Sequence, residues 1–213
     1  MLCLEEHLLH HDQKNFLLIN YGTPPAVVLG KSNRVEDLVF AECQIPLIRR
    51  FSGGGTVVVD ESTIFISWIL NKDFCALSDV DRLFDWTIRL YQNSHPNTRI
   101  AKLETDYVLG DKKVGGTAQY VKKDRILHHT SFLFDYDPKK MVLLKNPQKA
   151  PTYRNQRDHN DFLTTLSLVF RTPDAFIHPV LEELKKQFIL KKMEFLDILV
   201  NKSYAPQTCF IGI

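Results

Sequence analysis

Nowhere in the 213 residues does an uninterrupted apolar run approach the ~18 residues of a membrane-spanning helix, which excludes a chain organised around such a span. A secretory signal is missing as well. The opening MLCLEEHLLHH puts Glu5 and Glu6 where an apolar stretch is required, and it has none of the arginines of a transit peptide. The four cysteines, Cys3, Cys43, Cys75 and Cys209, are scattered without a CxxC pair, which argues against a disulfide framework or a zinc knuckle. Charge of neither sign dominates, the net value being +2. These absences lead to the expectation of a soluble, cytoplasmic protein of a reducing compartment with no membrane contact.

What is present suits one folded unit. A composition of 44% hydrophobic and 24% charged residues supports a sizeable core and argues against disorder. The length fits a single domain spanning residues 1–213. The near-neutral balance hides an asymmetry: residues 112–157 hold eight Lys and three Arg against three Asp, a local +8. Such a half points to an anionic ligand or partner, or to a solvated face. The basic residues are not interleaved with aromatics on any one element, so nucleic acid is not expected.

Periodicity predicts an amphipathic helix over 2–10, strands at 16–20, 26–29, 47–49, 56–59 and 63–70, and a helix over 79–93. It further predicts paired strands at 114–121 and 127–134, a short helix at 137–144 and a second long helix over 180–188. Strands in meander order followed by helices give an α+β fold, with mixed and antiparallel sheets packed by helices, rather than a doubly wound sheet. The polar stretch 145–160 reads as a loop, either a functional lid or a disordered segment.

Two segments carry chemistry. In Arg49-Arg50-Phe51-Ser52-Gly53-Gly54-Gly55-Thr56-Val57-Val58-Val59-Asp60, three glycines between strands let backbone N–H groups face an anion. The two arginines before them supply donors suited to phosphate or carboxylate. The run is neither a P-loop, which needs Lys-Ser/Thr after its second glycine, nor the dinucleotide fingerprint, because Val58 stands at its third glycine. In the second segment a hairpin turn at Gly110-Asp111 sets Asp106 near Lys113 on the next strand. There a carboxylate could hold Mg²⁺ while the ammonium reaches an anion. Small residues from Gly115 to Ala118 leave room for a ligand against the backbone.

Together these segments resemble the lipoate–protein ligase family, within the wider biotin/lipoate protein ligase fold. RRFSGGGTVVVD is similar to the family's RRxSGGGxVxxD loop and DKKVGGTAQ to its lysine motif K-[VI]-x-G-x-A. LEEHLL, PAVVLGKSN and HHTSFLFDYD follow in the family's order, and the resemblance covers roughly residues 2–165. It implies that Arg50, Ser52, Gly53, Gly54, Gly55, Thr56, Val57 and Val58 contact ATP and the acyl-adenylate. It also implies that Lys113 binds the lipoyl carbonyl and the α-phosphate, with Asp106, Gly115, Ala118 and His129 around the ligand and Asp106 toward Mg²⁺. The implied activity is ATP-dependent adenylation of lipoate or octanoate, then transfer to a lysine of lipoyl-domain proteins. Those acceptors are 2-oxoacid dehydrogenase E2 subunits and the glycine cleavage H protein. The chain differs from the family at Val59, where several ligases carry histidine, and at Thr130, where glycine is usual. Nothing after Leu166 matches the family's small C-terminal accessory domain.

Other readings are weaker. His7 and His11 stand at i, i+4 but lack a third ligand. His128 and His129 are adjacent on a strand, so they leave by opposite faces and one borders the pocket. Arg154, Arg157, Asp158 and His159 read either as contacts on a mobile lid or as part of a solvated loop. Sister octanoyltransferases act through a cysteine placed after the lysine motif, and residues 76–208 contain none. RRFSGGG also differs from the biotin-ligase loop. A non-catalytic or partner-dependent relative, and an octanoyl or lipoyl transferase, are the alternatives.

Overall fold

Thr63–Asn71 (β5) concentrates β-branched and aromatic residues, and all but its last position are buried. A strand buried on both faces must lie inside a sheet with cover on each side. In the computed structural model, which describes residues 1–74, 79–147, 150–193 and 204–212, it does so. Its even positions Ile64, Ile66, Trp68 and Leu70 join the main core, while Phe65, Ser67 and Ile69 face the other way.

The sheet around it is antiparallel, in the order β1-β5-β9-β8-β7-β6. Its other strands are Phe16–Tyr21 (β1), Ile100–Leu103 (β6), Asp106–Leu109 (β7), Lys112–Val121 (β8) and Arg125–Leu133 (β9). One face is covered by Val80–Ser94 (α3) and Pro173–Lys185 (α6), which supply Leu83, Phe84, Tyr91, Phe176 and Val180 to the core. Leu2–His11 (α1) packs on the opposite face, against β5 and β9. A second, mixed sheet has the order β10-β3-β2-β4. There Ala26–Leu29 (β2) and Leu47–Arg49 (β3) run parallel, while Val57–Val59 (β4) and Cys209–Gly212 (β10) pair antiparallel to them. Short helices at Val35–Leu38 (α2), Pro138–Met141 (α4) and His159–Phe162 (α5) connect the layers. The α+β expectation holds. No helix among the described residues is long and apolar enough to cross a membrane.

Several elements depart from their sequence reading. The helix expected from Val180 starts at Pro173, because the Thr172 side chain accepts the Ala175 N–H and proline suits a first turn. It continues through Pro179 and ends at Lys185. The helix expected over 137–144 is one turn, Pro138–Met141. Strands β6 and β10 were not legible: each is an edge strand without alternating apolar residues, recruited by its neighbour's free backbone groups.

Nor do the basic residues of 112–157 form one face. Arg125 and Arg154 are buried, Lys140 pairs with Asp60 at 2.8 Å and Arg157 with Asp111 at 2.9 Å. Lys122 and Lys123 follow the far end of ten-residue β8, roughly 30 Å from Lys113 at ~3.4 Å per residue. Cys75, Gln148 and Lys149 lie outside the described residues.

Candidate functional site

A cleft of about 950 Å³ takes lining residues from both sheets, from α1, from the glycine loop and from the 144–163 segment. Its volume is that of a small-molecule site. Of the residues that the family resemblance implied around the ligand, all but Ser52 line it, whereas Arg49, Arg157, Asp158 and His128 do not. Ser52 is buried, and its carbonyl accepts the Lys31 N–H at 2.9 Å.

The glycine loop is shaped by the arginines beside it. Arg50 is 4% exposed, and its guanidinium donates to the carbonyls of Gly53 (2.9 Å) and Gly55 (2.8 Å). Arg49 donates to the carbonyl of Asn33 at 2.6 Å, and the Asn33 amide donates to Gly54 O and Thr56 Oγ1. Both guanidinium groups therefore brace backbone carbonyls rather than stand free in the cleft. Burial pushes the Arg50 guanidinium down to about 10, opposed by the Glu5 carboxylate, so it is still a cation at neutral pH. Gly54 has φ 105°, and a Cβ there would lie 2.7 Å from Arg50 Nη2 and 3.0 Å from Thr117 O. Only glycine permits that conformation without strain.

The lysine motif enters on β8. Lys113 Nζ lies 2.8 Å from Asp106 Oδ1, across the β7–β8 hairpin whose turn the sequence placed at Gly110-Asp111. The register shifts opposite Val114, so Val108 pairs with Lys113 and Tyr107 with Gly115. A bulge of this kind re-aims side chains beside a site. The missing side chain of Gly116 makes room for Lys113 Nζ, 3.1 Å from where its Cβ would be; the space at Gly115 is filled by the Phe132 ring. Asp106 also accepts a hydrogen bond from the Tyr153 hydroxyl at 2.9 Å. Burial, then the Asp106 carboxylate, drives the Tyr153 phenol well above its ordinary value, so it stays protonated and donates.

The described part of the expected 145–160 loop reaches this pair through Tyr153. It holds a 3-10 turn at Thr152–Arg154 and leads into α5. Arg157 ties it to the hairpin through Asp111. Arg154 and His159 line the cleft, and burial together with Arg154 pushes His159 down to about 4, so it is neutral at pH 7.

Behind His129, which lines the cleft, Glu5 and Ser67 complete a buried polar group with it. Ser67 Oγ donates to Glu5 Oε1 at 2.6 Å, and His129 Nδ1 is 2.8 Å from the same oxygen. Burial alone would raise Glu5, but contacts with His129 and Ser67 outweigh it and hold the carboxyl below the usual range. As the strand alternation requires, His128 faces the other way. It is 3.0 Å from the Tyr107 hydroxyl, and burial pushes it down to about 3. Around the Glu5 group the cleft is apolar, with Ala26, Val28, Val59 and Phe65 in one cluster. Val59 thus serves as an apolar wall.

Among the described residues no cluster of three His, Cys, Asp or Glu side chains could hold a metal. An ion carried on nucleotide phosphates needs only one or two carboxylates, and Asp106 is the buried carboxylate lining this cleft. Sequence reasoning missed Asn33, Tyr153, Glu5 and Ser67, which hold the lining residues Gly54, Thr56, Asp106 and His129 in place. Strand β10 also brings Cys209, with Cys3 of α1, to the cleft.

The lipoyl protein ligase A/B catalytic domain family model matches residues 2–189. The inactive lipoate–protein ligase 2 of Plasmodium falciparum is 29% identical over 209 residues, covering 78% of this chain and 54% of that protein. The chain spans about half the length of the curated relatives it matches. A crystal structure of lipoate-protein ligase A bound with ATP superposes with a TM-score of 0.71 at 21% identity, covering 87% of this chain and 78% of that one. The bi-partite lipoate protein ligase of Thermoplasma acidophilum, studied with its E2 lipoyl domain, gives 0.67 at 19% identity, covering 92% and 82%. Those structures share the fold, and the family model, spanning most of the chain, establishes that this protein belongs to the lipoyl protein ligase A/B catalytic domain family.

Proposed function

We propose that the cleft binds ATP and lipoate or octanoate, joins them as an acyl-adenylate, and passes the acyl group to a lysine of a lipoyl domain. The observation that carries this reading is the Lys113–Asp106 pair in the same cleft as the glycine loop and an apolar pocket. One end suits charge; the other suits a hydrocarbon chain. The ATP-bound neighbour and the ligase with its E2 lipoyl domain support nucleotide and acceptor in turn.

In the first step a carboxylate oxygen attacks the α-phosphorus and pyrophosphate leaves. Two anions meet, so a fixed cation beside the new bond lowers the barrier. Lys113, held by Asp106, is that cation, while Gly53, Gly54 and Gly55 let the phosphates approach the backbone. Magnesium bound to the nucleotide, with Asp106 as its protein ligand, would neutralise charge on the leaving pyrophosphate. In the second step the acceptor's amine attacks the acyl carbon and AMP leaves. Tyr153, Arg154 and α5 keep water from the anhydride. E2 subunits and the glycine cleavage H protein are the proposed acceptors.

A second reading is a relative that binds acyl-adenylate or acceptor without making the adenylate. The commitment of Arg50 to loop carbonyls and the inactivity of the Plasmodium relative favour it. Lipoate-dependent exchange of pyrophosphate into ATP, followed by mass spectrometry of a lipoyl domain, separates the two. Exchange with acyl transfer supports the ligase; transfer from pre-formed lipoyl-AMP without exchange supports the alternative.

A further inference from the structure

The register of the second sheet aligns one residue from each of its four strands. Phe210 on β10 is opposite Ile48 on β3, Ile48 is opposite Val28 on β2, and Val28 is opposite Val57 on β4. All four line the cleft. With strands ~4.8 Å apart, the row extends ~14 Å across the sheet. Ile48, Val28 and Val57 are packed together, whereas Phe210 is 76% exposed. A phenyl ring in register with an apolar row, lining the cleft yet uncovered, is an unfinished piece of hydrocarbon surface.

The strand carrying Phe210 is anchored by a group outside the cleft. Glu6 on α1 is fully buried, and its carboxylate accepts from the Tyr204 hydroxyl (2.6 Å), Gln207 N–H (2.8 Å) and Thr208 N–H (3.1 Å). Burial would raise this carboxyl, and the hydrogen bonds hold it below the usual range instead. Thr208 Oγ1 in turn accepts the N–H of Phe51, next to Arg50. One buried carboxylate thus fixes the approach of β10 to β3.

We infer that Phe210 is a specificity-determining residue that extends the acyl-binding floor to a fourth strand, and that Glu6 is the positioning residue that seats it. The ligand class is an unbranched or terminally cyclised aliphatic carboxylate long enough to cross the whole row. This rests on the acyl-cleft reading above. A chain ending over Ile48 leaves Phe210 in water, while a longer one covers it and gains affinity.

Calorimetric titration of the full chain with hexanoate, octanoate and decanoate tests this without chemistry. In the wild type, affinity should rise roughly fourfold per methylene through decanoate, the factor for a buried CH₂. Phe210→Ala should reduce the decanoate-to-hexanoate affinity ratio at least tenfold, and Phe210→Leu should restore most of it. Glu6→Gln cannot accept all three donors, so it should reproduce the flattened profile although its side chain does not line the cleft. Thermal melts confirm that each variant is folded. An unchanged ratio in folded Phe210→Ala overturns the inference while leaving the acyl reading intact. A wild type that binds none of the three chains overturns both.

Discussion

The Lys113 ammonium sits 2.8 Å from the Asp106 carboxylate, and Asp106 is itself held by the Tyr153 hydroxyl from another segment of the chain. A cation carried on β8 and anchored in this way keeps one position in the cleft. If Lys113 stabilises charge at the reacting phosphate, Lys113→Ala should slow lipoate-dependent pyrophosphate exchange by about 10²–10³-fold, as loss of one transition-state donor does. Its side chain is partly exposed, so the melting temperature should change little. Wild-type exchange in the folded variant would remove Lys113 from the reaction.

Gly54→Ala combines a left-handed φ with a Cβ pressed on Arg50 and on the Thr117 carbonyl. The expected cost is about 1–3 kcal/mol, read by urea unfolding. ATP binding should weaken as well, because the brace between Arg50 and the loop must shift.

Acid stability follows from Glu5, Glu6 and Asp60, whose carboxyls are all held below their ordinary values of 4.5, 4.5 and 3.8. For each, burial opposes the shift and is outweighed: by His129 at Glu5, by Tyr204 and two backbone N–H groups at Glu6, and by Lys140 at Asp60. A depressed folded-state pKa stabilises above the unfolded value and ceases to do so as pH falls through the folded one. Stability from these groups should be flat above about pH 5 and decline below about pH 4, as denaturant midpoints at successive pH values would show. Glu5→Gln should flatten part of that decline.

Cys3 and Cys209 both reach the cleft, yet adenylate chemistry needs no thiolate. A Cys3→Ser, Cys209→Ser variant should therefore modify a lipoyl domain at a rate within a few-fold of wild type. An acyl-enzyme thioester trapped by mass spectrometry, or loss of transfer in the folded variant, would instead indicate the transferase route.

The basic segment makes a negative prediction. Because Lys123 follows the far end of β8 from Lys113, Lys123→Glu should leave acyl transfer at about 0.1 M salt within about twofold of wild type, surface charges beyond a Debye length of ~10 Å being screened. A large defect would place the acceptor along the whole strand.

Local chemistry made much of this molecule legible in sequence. Three glycines shortly after two arginines read as a turn open to close approach, and Gly110-Asp111 between apolar runs reads as the hairpin that sets Asp106 beside Lys113. Alternation along β9 likewise sends His128 and His129 to opposite faces. Such features depend on a few consecutive residues and their backbone preferences. Tertiary structure decided the rest. Arg50 and Arg49 look like free phosphate donors in sequence, but which acceptors they meet depends on how the loop closes over them, and here those are carbonyls. Glu5 meets His129 across 124 positions and Glu6 meets Thr208 across 202. A buried carboxylate of this kind carries no local signal, because its partners come together only when the sheets and α1 close. The same holds for β10, whose four exposed residues have no apolar pattern and become a strand because β3 offers them free backbone groups.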